Sequence, residues 1–141
     1  MNNRAVSVAD IMSTELTTVV PSTPLTQLLD VFAQHTFHHL PVVENDKLLG
    51  IISDRDLSQA LSPNIGTESE SAEDRRLLRQ SAADIMTSAI IGIDRTTDLD
   101  TASILLLEND ISCLPVTDDN DGLEGLLTWK DLLQYFVYSD G

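Results

Sequence analysis

The chain consists of two copies of one sequence unit, and this internal repeat constrains the fold more than any other feature. Three short segments occur twice in the same order, 74 or 75 residues apart. They are Ser-Val-Ala-Asp-Ile-Met-Ser at 7–13 and Ser-Ala-Ala-Asp-Ile-Met-Thr at 81–87, Leu-Pro-Val at 40–42 and 114–116, and two octets at 50–57 and 125–132. Self-similarity of this kind indicates two related units that pack with pseudo-symmetry. The repeats predict domains at 1–62 and 81–141, joined by a linker at 63–80.

Each copy is typical of a β-α-β-β-α unit. An extended segment, 16–20 in the first copy and 90–93 in the second, precedes a helix with apolar residues at helical spacing. Thr23 is the predicted N-cap of the first such helix, with Pro24 in the first helical position, and Thr97 is the predicted N-cap of the second. A hairpin and a closing helix follow. Since one unit is too small to cover both faces of its sheet, the sequence predicts an α+β module of two pseudo-symmetric units packed sheet to sheet.

The octets 50–57 and 125–132, which we call corner 1 and corner 2, contain the chemically informative side chains. Both read Gly, two aliphatic residues, a hydroxyl residue, any residue, a base, Asp and Leu. The hydroxyl residue stands where a strand gives way to a helix, and a short hydroxyl side chain is a good N-cap. The base and the Asp then lie in the first helical turn, where free backbone N–H groups favour anions. Each corner therefore predicts a hydroxyl, a cation and a carboxylate suited to a phosphorylated sugar.

The composition limits the possible partners of the chain. Its formal net charge is −15 over 141 residues, which repels nucleic acid and anionic membranes at long range. No run approaches the roughly 18 apolar residues that a membrane span needs, and no apolar signal core follows the first residues. The single Cys113 cannot form an internal disulfide. We expect a soluble cytoplasmic protein with no nucleic-acid or membrane partner.

The linker at 63–80 is predicted to contain a short solvent-facing helix. Acidic residues come first and basic residues last, an order that suits the helix dipole. The basic cluster of Arg75, Arg76 and Arg79 is either an anion site or, more commonly for such a charge run, a solvated helix face.

The ordered set of motifs resembles a tandem pair of CBS (cystathionine beta-synthase) domains of the free-standing bacterial type. The resemblance rests on Asp-Ile-Met-Ser/Thr, the capped helix, Leu-Pro-Val and Gly-h-h-Ser/Thr-x-x-Asp (h, apolar), each present twice across nearly the whole chain. It implies that an adenine nucleotide or other adenosyl ligand (AMP, ADP, ATP or S-adenosylmethionine) binds in clefts between the repeats, with no other cofactor required. It also implies an energy-sensing regulatory module that forms a homodimer through its helices. Such a module signals to an unknown regulated protein through the angle between its halves.

The resemblance also implies a role for individual residues. The Asp of each corner would hold ribose and the hydroxyl would hold phosphate, which assigns Ser53 and Asp56 to one cleft and Thr128 and Asp131 to the other. Further phosphate contacts are implied for the base before each Asp and for the two residues before each Leu-Pro-Val, namely Arg55, Lys130, His38, His39, Ser112 and Cys113. Leu16 and Ile90 would line the adenine. Because Ser112 and Cys113 carry no charge, we expect corner 1 to be the better phosphate site.

Other interpretations of the same residues stay open. Asp56 and Asp131 also fit simple first-turn helix acids, and Arg55 and Lys130 also fit partners for an acidic surface. Trp129, at the variable position of corner 2, either covers its cleft or lies in an interface. Cys113 is expected to be a small buried hydrophobe.

Metal binding and catalysis are the less favoured functions. Among His35, His38 and His39, the last two are adjacent on a predicted strand and so point to opposite faces, and no Cys or carboxylate set completes a ligand cage. The sequence has no nucleophile elbow, no Walker loop and no paired acid with a convincing base. We therefore expect no metal site and no enzyme activity. The alternative to ligand sensing is a protein–protein interaction module with no physiological small ligand.

Overall fold

The structure, a computed structural model of the chain, describes residues 6–61, 71–72 and 79–139. In chain order its elements are α1 Val8–Ile11, α2 Leu25–Gln34, β1 His39–Glu44, β2 Lys47–Ser53, α3 Asp54–Ala60, α4 Ala82–Ile85, α5 Leu99–Glu108, β3 Cys113–Thr117, β4 Leu123–Thr128 and α6 Trp129–Tyr138. Most of the predicted linker helix, with Arg75 and Arg76, lies outside the described residues. Within the described part, each helix is too short or too polar to cross a membrane.

Two antiparallel hairpins form the sheets, β1 with β2 and β3 with β4. The first hairpin turns at Asn45 and Asp46, whose φ angles of 54° and 63° are in the left-handed region that Asn and Asp tolerate better than most residues. In the second turn, the Asp118 carboxylate accepts two backbone N–H groups of the loop at 2.8 Å. The two predicted hairpins are therefore confirmed, and an Asp or Asn residue gives each turn a local physical cause.

The first predicted strand of each unit is reduced to a single residue of parallel pairing. Val19 lies beside β1, donating its N–H to the Pro41 carbonyl at 3.0 Å and accepting an N–H two residues further along β1 at 2.8 Å. Pro41 has no N–H to continue the ladder towards Thr17, and Pro21 has none to continue it in the other direction. Ile93 pairs beside β3 in the same way. The predicted α+β class with two small sheets is confirmed, with this strand shortened.

The described residues bury two apolar cores, one on each hairpin. The core of the first hairpin comprises Val19, Leu25, Leu28, Leu40, Val42, Ile52, Leu57 and Ala82. The core of the second comprises Val8, Ile93, Leu99, Ala102, Leu106, Leu114, Val116, Leu127 and Leu132. Each core therefore takes one residue, Ala82 or Val8, from the first helix of the other sequence repeat.

The compact units of the structure differ from the sequence repeats. The corner-1 unit holds Thr17–Ile90, and the corner-2 unit combines residues up to 16 with residues from 91 onwards. In the corner-2 unit α1 contacts β4 and α6, and Val8 donates its N–H to the Thr97 carbonyl at 2.8 Å. In the corner-1 unit α4 contacts β2 and α3. The short first helix of each repeat thus packs on the hairpin of the other repeat.

The predicted N-caps of the two longer helices are wrong by one position. The N-cap residue of α2 is Pro24, and that of α5 is Asp98, whose carboxylate accepts the N–H three residues on at 2.6 Å. The Thr23 hydroxyl instead accepts a backbone N–H three residues earlier, at 3.1 Å. Asp98 caps in preference to Thr97 because an ionised carboxylate is a stronger acceptor than a hydroxyl.

Candidate functional site

Corner 1 lies where β2 ends and α3 begins. Ser53 has the extended backbone of an N-cap, and its hydroxyl accepts the Asp56 N–H at 3.0 Å. The Asp56 carboxylate returns the contact through Oδ2, which accepts the Ser53 N–H at 2.9 Å. The hydroxyl and the carboxylate that are predicted to bind ligand therefore also form a capping box with each other's backbone N–H groups. Among the described residues, Asp56 Oδ1 accepts no hydrogen bond.

Corner 2 repeats this arrangement where β4 meets α6. Thr128 Oγ1 accepts the Asp131 N–H at 3.3 Å, and Asp131 Oδ2 accepts the Thr128 N–H at 3.0 Å. Here the other carboxylate oxygen is also engaged, because Oδ1 accepts the Ser13 hydroxyl at 3.2 Å. Asp56 and Asp131 are thus both acids of a first helical turn, as one of the two interpretations predicts. The two corners differ in the hydrogen bonding of the second carboxylate oxygen, Oδ1.

Arg55 and Lys130 stand between the hydroxyl and the Asp of their corners, in the first turn of α3 and α6. Both side chains are exposed, and within the described part of the chain neither forms an ion pair or a hydrogen bond. The alternative that they pair with the acidic surface therefore gains no support from the described residues.

Two histidines border corner 1. His39 begins β1 directly opposite Ser53, and His38 Nδ1 lies 2.8 Å from Asp54 Oδ2. Burial lowers the pKa of His39, an effect that the nearby carboxylates of Asp54 and Asp56 partly oppose and that His38 reinforces. The structure therefore places both predicted histidines at the corner, His38 exposed and in contact with Asp54, and His39 half-buried.

The matching positions at corner 2 carry no histidine. Cys113 lies opposite Thr128, as His39 lies opposite Ser53, and burial together with the Asp131 charge raises the pKa of its thiol to about 12. The expectation of a buried Cys113 is confirmed. Trp129 takes the place of Asp54, with its backbone N–H on the Ser112 carbonyl at 3.3 Å and its indole N–H on the Ile111 carbonyl at 3.2 Å.

The predicted adenine-lining residues fall in different compact units. Leu16 belongs to the corner-2 unit and Ile90 to the corner-1 unit, and both are half-buried. The exchange of first segments thus groups Leu16 with Asp131 and Ile90 with Asp56. Sequence reasoning did not assign these pairs, because the exchange is a tertiary feature.

Ser13 is a site residue that the sequence reasoning missed. It ends the segment after α1, which pairs with β4 through reciprocal backbone hydrogen bonds to Leu126 at 2.9 and 3.0 Å. Its repeat counterpart Thr87 pairs with Ile51 in the same way. The available signal was the hydroxyl that closes both copies of the Asp-Ile-Met-Ser/Thr motif.

A shallow groove of about 400 Å³ runs beside corner 2 between α1 and α6. Its lining residues are Ile11, Asp131, Gln134, Tyr135, Tyr138 and Ser139. At the end of α2, the His35 ring stacks on the Phe37 ring with centroids 4.8 Å apart. Among the described residues, no three His, Cys, Asp or Glu side chains converge on one point.

The duplicated hairpin, the two capping-box corners and the repeated motifs define a class of protein. The CBS domain model matches residues 8–63 and again 82–138, and the chain belongs to the CBS domain family.

Solved relatives share the fold over nearly their whole length. The CBS domain pair of protein MJ0100, in complex with 5′-methylthioadenosine and S-adenosyl-L-methionine, is 26% identical, with a TM-score of 0.79 over 95% of this chain and 98% of that one. CBSX2, a CBS-pair protein of Arabidopsis thaliana whose structure in complex with AMP is known, is 28% identical, with a TM-score of 0.79 over 96% and 99% of the two chains.

Some curated relatives are much longer. The homoserine O-acetyltransferase of Methanobrevibacter ruminantium is 34% identical over 94% of this chain, which spans only 24% of that protein. The chain likewise spans less than half the length of the next two curated relatives that it matches.

Proposed function

We propose that the chain is a regulatory module that binds an adenosyl ligand, such as AMP, ADP, ATP or S-adenosylmethionine, at each corner. The observation that carries this proposal is the pairing, twice in one chain, of a capped carboxylate with a neighbouring cation that has no protein partner among the described residues. Two relatives with near-complete structural overlap bind adenosyl ligands, one AMP and the other methylthioadenosine and S-adenosylmethionine.

The corner geometry suggests how each group would act. The Asp56 and Asp131 carboxylates keep Oδ2 on the backbone, so Oδ1 is the oxygen that would accept a ribose hydroxyl. Asp131 Oδ1 would do so beside the Ser13 hydroxyl that it already accepts. The Ser53 hydroxyl accepts one N–H and still has its own proton to donate to a phosphate oxygen. Arg55 and Lys130 would add charge-assisted hydrogen bonds to phosphate.

Replacing the two aspartates tests ligand binding. Asp→Ala would remove the capping box as well as the ligand contact, so Asp56→Asn with Asp131→Asn is the sharper double variant. Asn retains an oxygen for the backbone N–H but loses the charge. We expect calorimetry to show micromolar-range binding of at least one adenosyl ligand to wild type and at least a tenfold loss in the double variant, about 1.4 kcal/mol.

The matched control is Asp84→Asn. Asp84 closes a capping box with Ser81 at the start of α4 and has no proposed ligand role, so this variant should bind as wild type does. Absence of binding heat with AMP, ADP, ATP and S-adenosylmethionine would contradict the proposal. An unchanged melting temperature across the same panel would favour the alternative of a protein–protein interaction module, because a ligand that binds only the folded state raises it.

The module is proposed to act through another protein and not to catalyse a reaction itself. We propose a cytoplasmic, non-catalytic protein that senses adenylate charge and acts on a regulated partner through a homodimer. The exposed apolar side chains of α5 and α6 support the dimer: Ile104, Leu107, Leu133, Phe136 and Val137 are each at least half exposed. Steady phosphate release from ATP by the purified protein, lost in the double variant, would contradict a non-catalytic role.

A further inference from the structure

The two corners have the same backbone geometry but different titratable side chains. The Asp54 N–H bonds to the His38 carbonyl at 3.0 Å, and the Trp129 N–H bonds to the Ser112 carbonyl at 3.3 Å, so these positions correspond in space. At three matched positions corner 1 has an ionisable side chain, and corner 2 has a side chain that does not change charge near neutral pH. The pairs are His38 with Ser112, His39 with Cys113, and Asp54 with Trp129.

The same contact is ionic in one corner and neutral in the other. His38 Nδ1 meets Asp54 Oδ2 at 2.8 Å, so this contact is an ion pair whenever the imidazole is protonated. In corner 2 the Trp129 indole N–H meets the Ile111 carbonyl at 3.2 Å, a hydrogen bond that does not change with pH.

Corner 1 has too little fixed positive charge for a phosphate group. Its first turn holds two carboxylates, Asp54 and Asp56, against one cation, Arg55. Further positive charge has to come from His38 and His39, and histidine is the side chain whose charge changes between about pH 5 and 8. Without ligand, burial holds the pKa of His39 below its ordinary value. The charge of a bound phosphate would oppose that effect and favour the imidazolium.

Several other charged groups of the corner-1 unit, on the hairpin and on α4, do not replace the histidines. On β1 and β2, Glu44 and Lys47 pair in register at the opposite end of the hairpin. The segment at 17–20, beside β1, contributes no charge. His35 stacks on Phe37, and α4, which packs on α3, contributes Asp84, whose carboxylate closes its own capping box.

We propose that corner 1 takes up a proton when it binds a phosphate-bearing adenosyl ligand, with His38 and His39 as the residues that select for phosphate. Corner 2 binds without proton uptake. The inference rests on the proposed function and deepens it: binding of a phosphate-bearing ligand depends on pH at corner 1 and not at corner 2.

Single-corner variants test the inference. Asp131→Asn leaves corner 1 intact, and Asp56→Asn leaves corner 2 intact. Calorimetry with AMP in buffers of different ionisation heat gives the protons taken up on binding, at pH values between about 6.5 and 8. For Asp131→Asn we expect net proton uptake and about three- to tenfold tighter AMP binding at the lower pH, because a pKa shift of one unit corresponds to about a tenfold change in affinity. For Asp56→Asn we expect the AMP affinity to change by less than about twofold.

The phosphate of AMP has a second pKa near 6, so it can also take up or release a proton on binding. Variants of the histidines leave the phosphate unchanged and therefore separate its contribution from that of the imidazoles. Adenosine, which has no phosphate, should bind Asp131→Asn without proton uptake. His38→Gln and His39→Gln in the Asp131→Asn background should each reduce the uptake.

The outcomes separate the two proposals. Equal proton uptake by the two single-corner variants, or uptake that persists in both histidine variants, would overturn this inference and leave adenosyl binding intact. No AMP binding by wild type at either pH would overturn this inference, and the proposed function would also fail if ADP, ATP and S-adenosylmethionine gave no binding heat. Should a variant fail to fold, nuclear magnetic resonance titration of the wild-type histidine rings decides the question. AMP must raise the pKa of His39 or His38, and an unchanged value for both overturns the inference.

Discussion

Two glycines permit the close contact between the first helix of one repeat and the hairpin of the other. A Cβ atom at Gly125 would lie 2.6 Å from the Met12 Sδ and 3.0 Å from the Ser13 carbonyl oxygen. A Cβ atom at Gly50 would lie equally close to Met86, at 2.6 Å. The Gly that opens each corner and the Met of the Asp-Ile-Met motif therefore recur together because they pack on each other.

Replacing Gly125 with Ala tests this contact. The Met12 thioether can move, but the backbone carbonyl cannot move without disturbing the pairing of Ser13 with β4, so we expect a loss of about 1–3 kcal/mol in the free energy of unfolding. Urea denaturation followed by the fluorescence of Trp129 reports on the same unit. Gly92→Ala is the control, since its Cβ would meet nothing closer than 3.6 Å. Equal midpoints for the two variants would contradict the prediction.

The half-buried His39 predicts a pH dependence of stability. Burial lowers its pKa below the ordinary value of 6.5, so the unfolded chain binds more protons than the folded chain in the interval below 6.5. The contribution of His39 therefore makes the free energy of unfolding fall as the pH drops from about 7.5 to 5.5. Circular dichroism during urea denaturation should show a smaller fall for His39→Gln. Identical slopes for wild type and His39→Gln would refute the prediction.

At the scale of elements, capping boxes start four of the described helices. The pairs are Ser7 with Asp10, Ser53 with Asp56, Ser81 with Asp84, and Thr128 with Asp131. Two of these helices, α1 and α4, have only four residues each, too few to be stable through their own backbone hydrogen bonds. Their caps and their packing on the other repeat's hairpin therefore determine where they form.

Removing the cap hydroxyl of α6 tests the structural role of a corner. Thr128→Val keeps the side-chain shape but loses the acceptor for the Asp131 N–H, so we expect a loss of about 0.5–2 kcal/mol in stability. Thr128→Ser keeps the acceptor and should lose less. Trp129 fluorescence during urea denaturation measures both. A Val variant as stable as the Ser variant would show that the box contributes nothing to folding.

At the scale of the whole molecule, the two repeats differ in what their helices expose. Ile104 and Leu133 are exposed on α5 and α6, and the repeat offsets match them to Asp30 and Ser58 on α2 and α3. Among the described residues, the exposed large apolar side chains of helices all belong to the second sequence repeat. Exposed large apolar side chains can mark an interaction site, and we propose that these helices bind a second copy of the chain.

Charge placed on this surface should dissociate the proposed dimer. We expect wild type to sediment as a dimer at micromolar concentration and Leu133→Asp with Phe136→Asp to sediment as a monomer with an unchanged circular dichroism spectrum, because a buried unpaired carboxylate opposes association. Ser58→Asp, at the matched position of the first repeat, should remain dimeric. Monomeric wild type, or a dimeric double variant, would contradict this assignment.

The sequence predicts the corners well because their structure is local. Ser53 and Asp56 are three residues apart, so hydrogen bonds within one helical turn hold them in place wherever the corner packs. Caps predicted from single residues are less secure, as Thr23 and Thr97 show: the choice between neighbouring acceptors depends on which backbone groups other segments already occupy. Ser13 was missed because its partner Asp131 is 118 residues away.

The sequence by itself determined the duplicated unit, the hairpins, the corners and the CBS family, because periodicity, turn chemistry and N-caps act over a few residues. Only the tertiary structure decided that each first helix packs on the other repeat's hairpin, which groups Leu16 and Ser13 with corner 2. It also decided that the first strand of each unit is a single bridge, at Val19 and at Ile93, and that Asp131 Oδ1 accepts the Ser13 hydroxyl. These features depend on contacts between distant segments, where close packing and competition for hydrogen-bond partners determine the outcome.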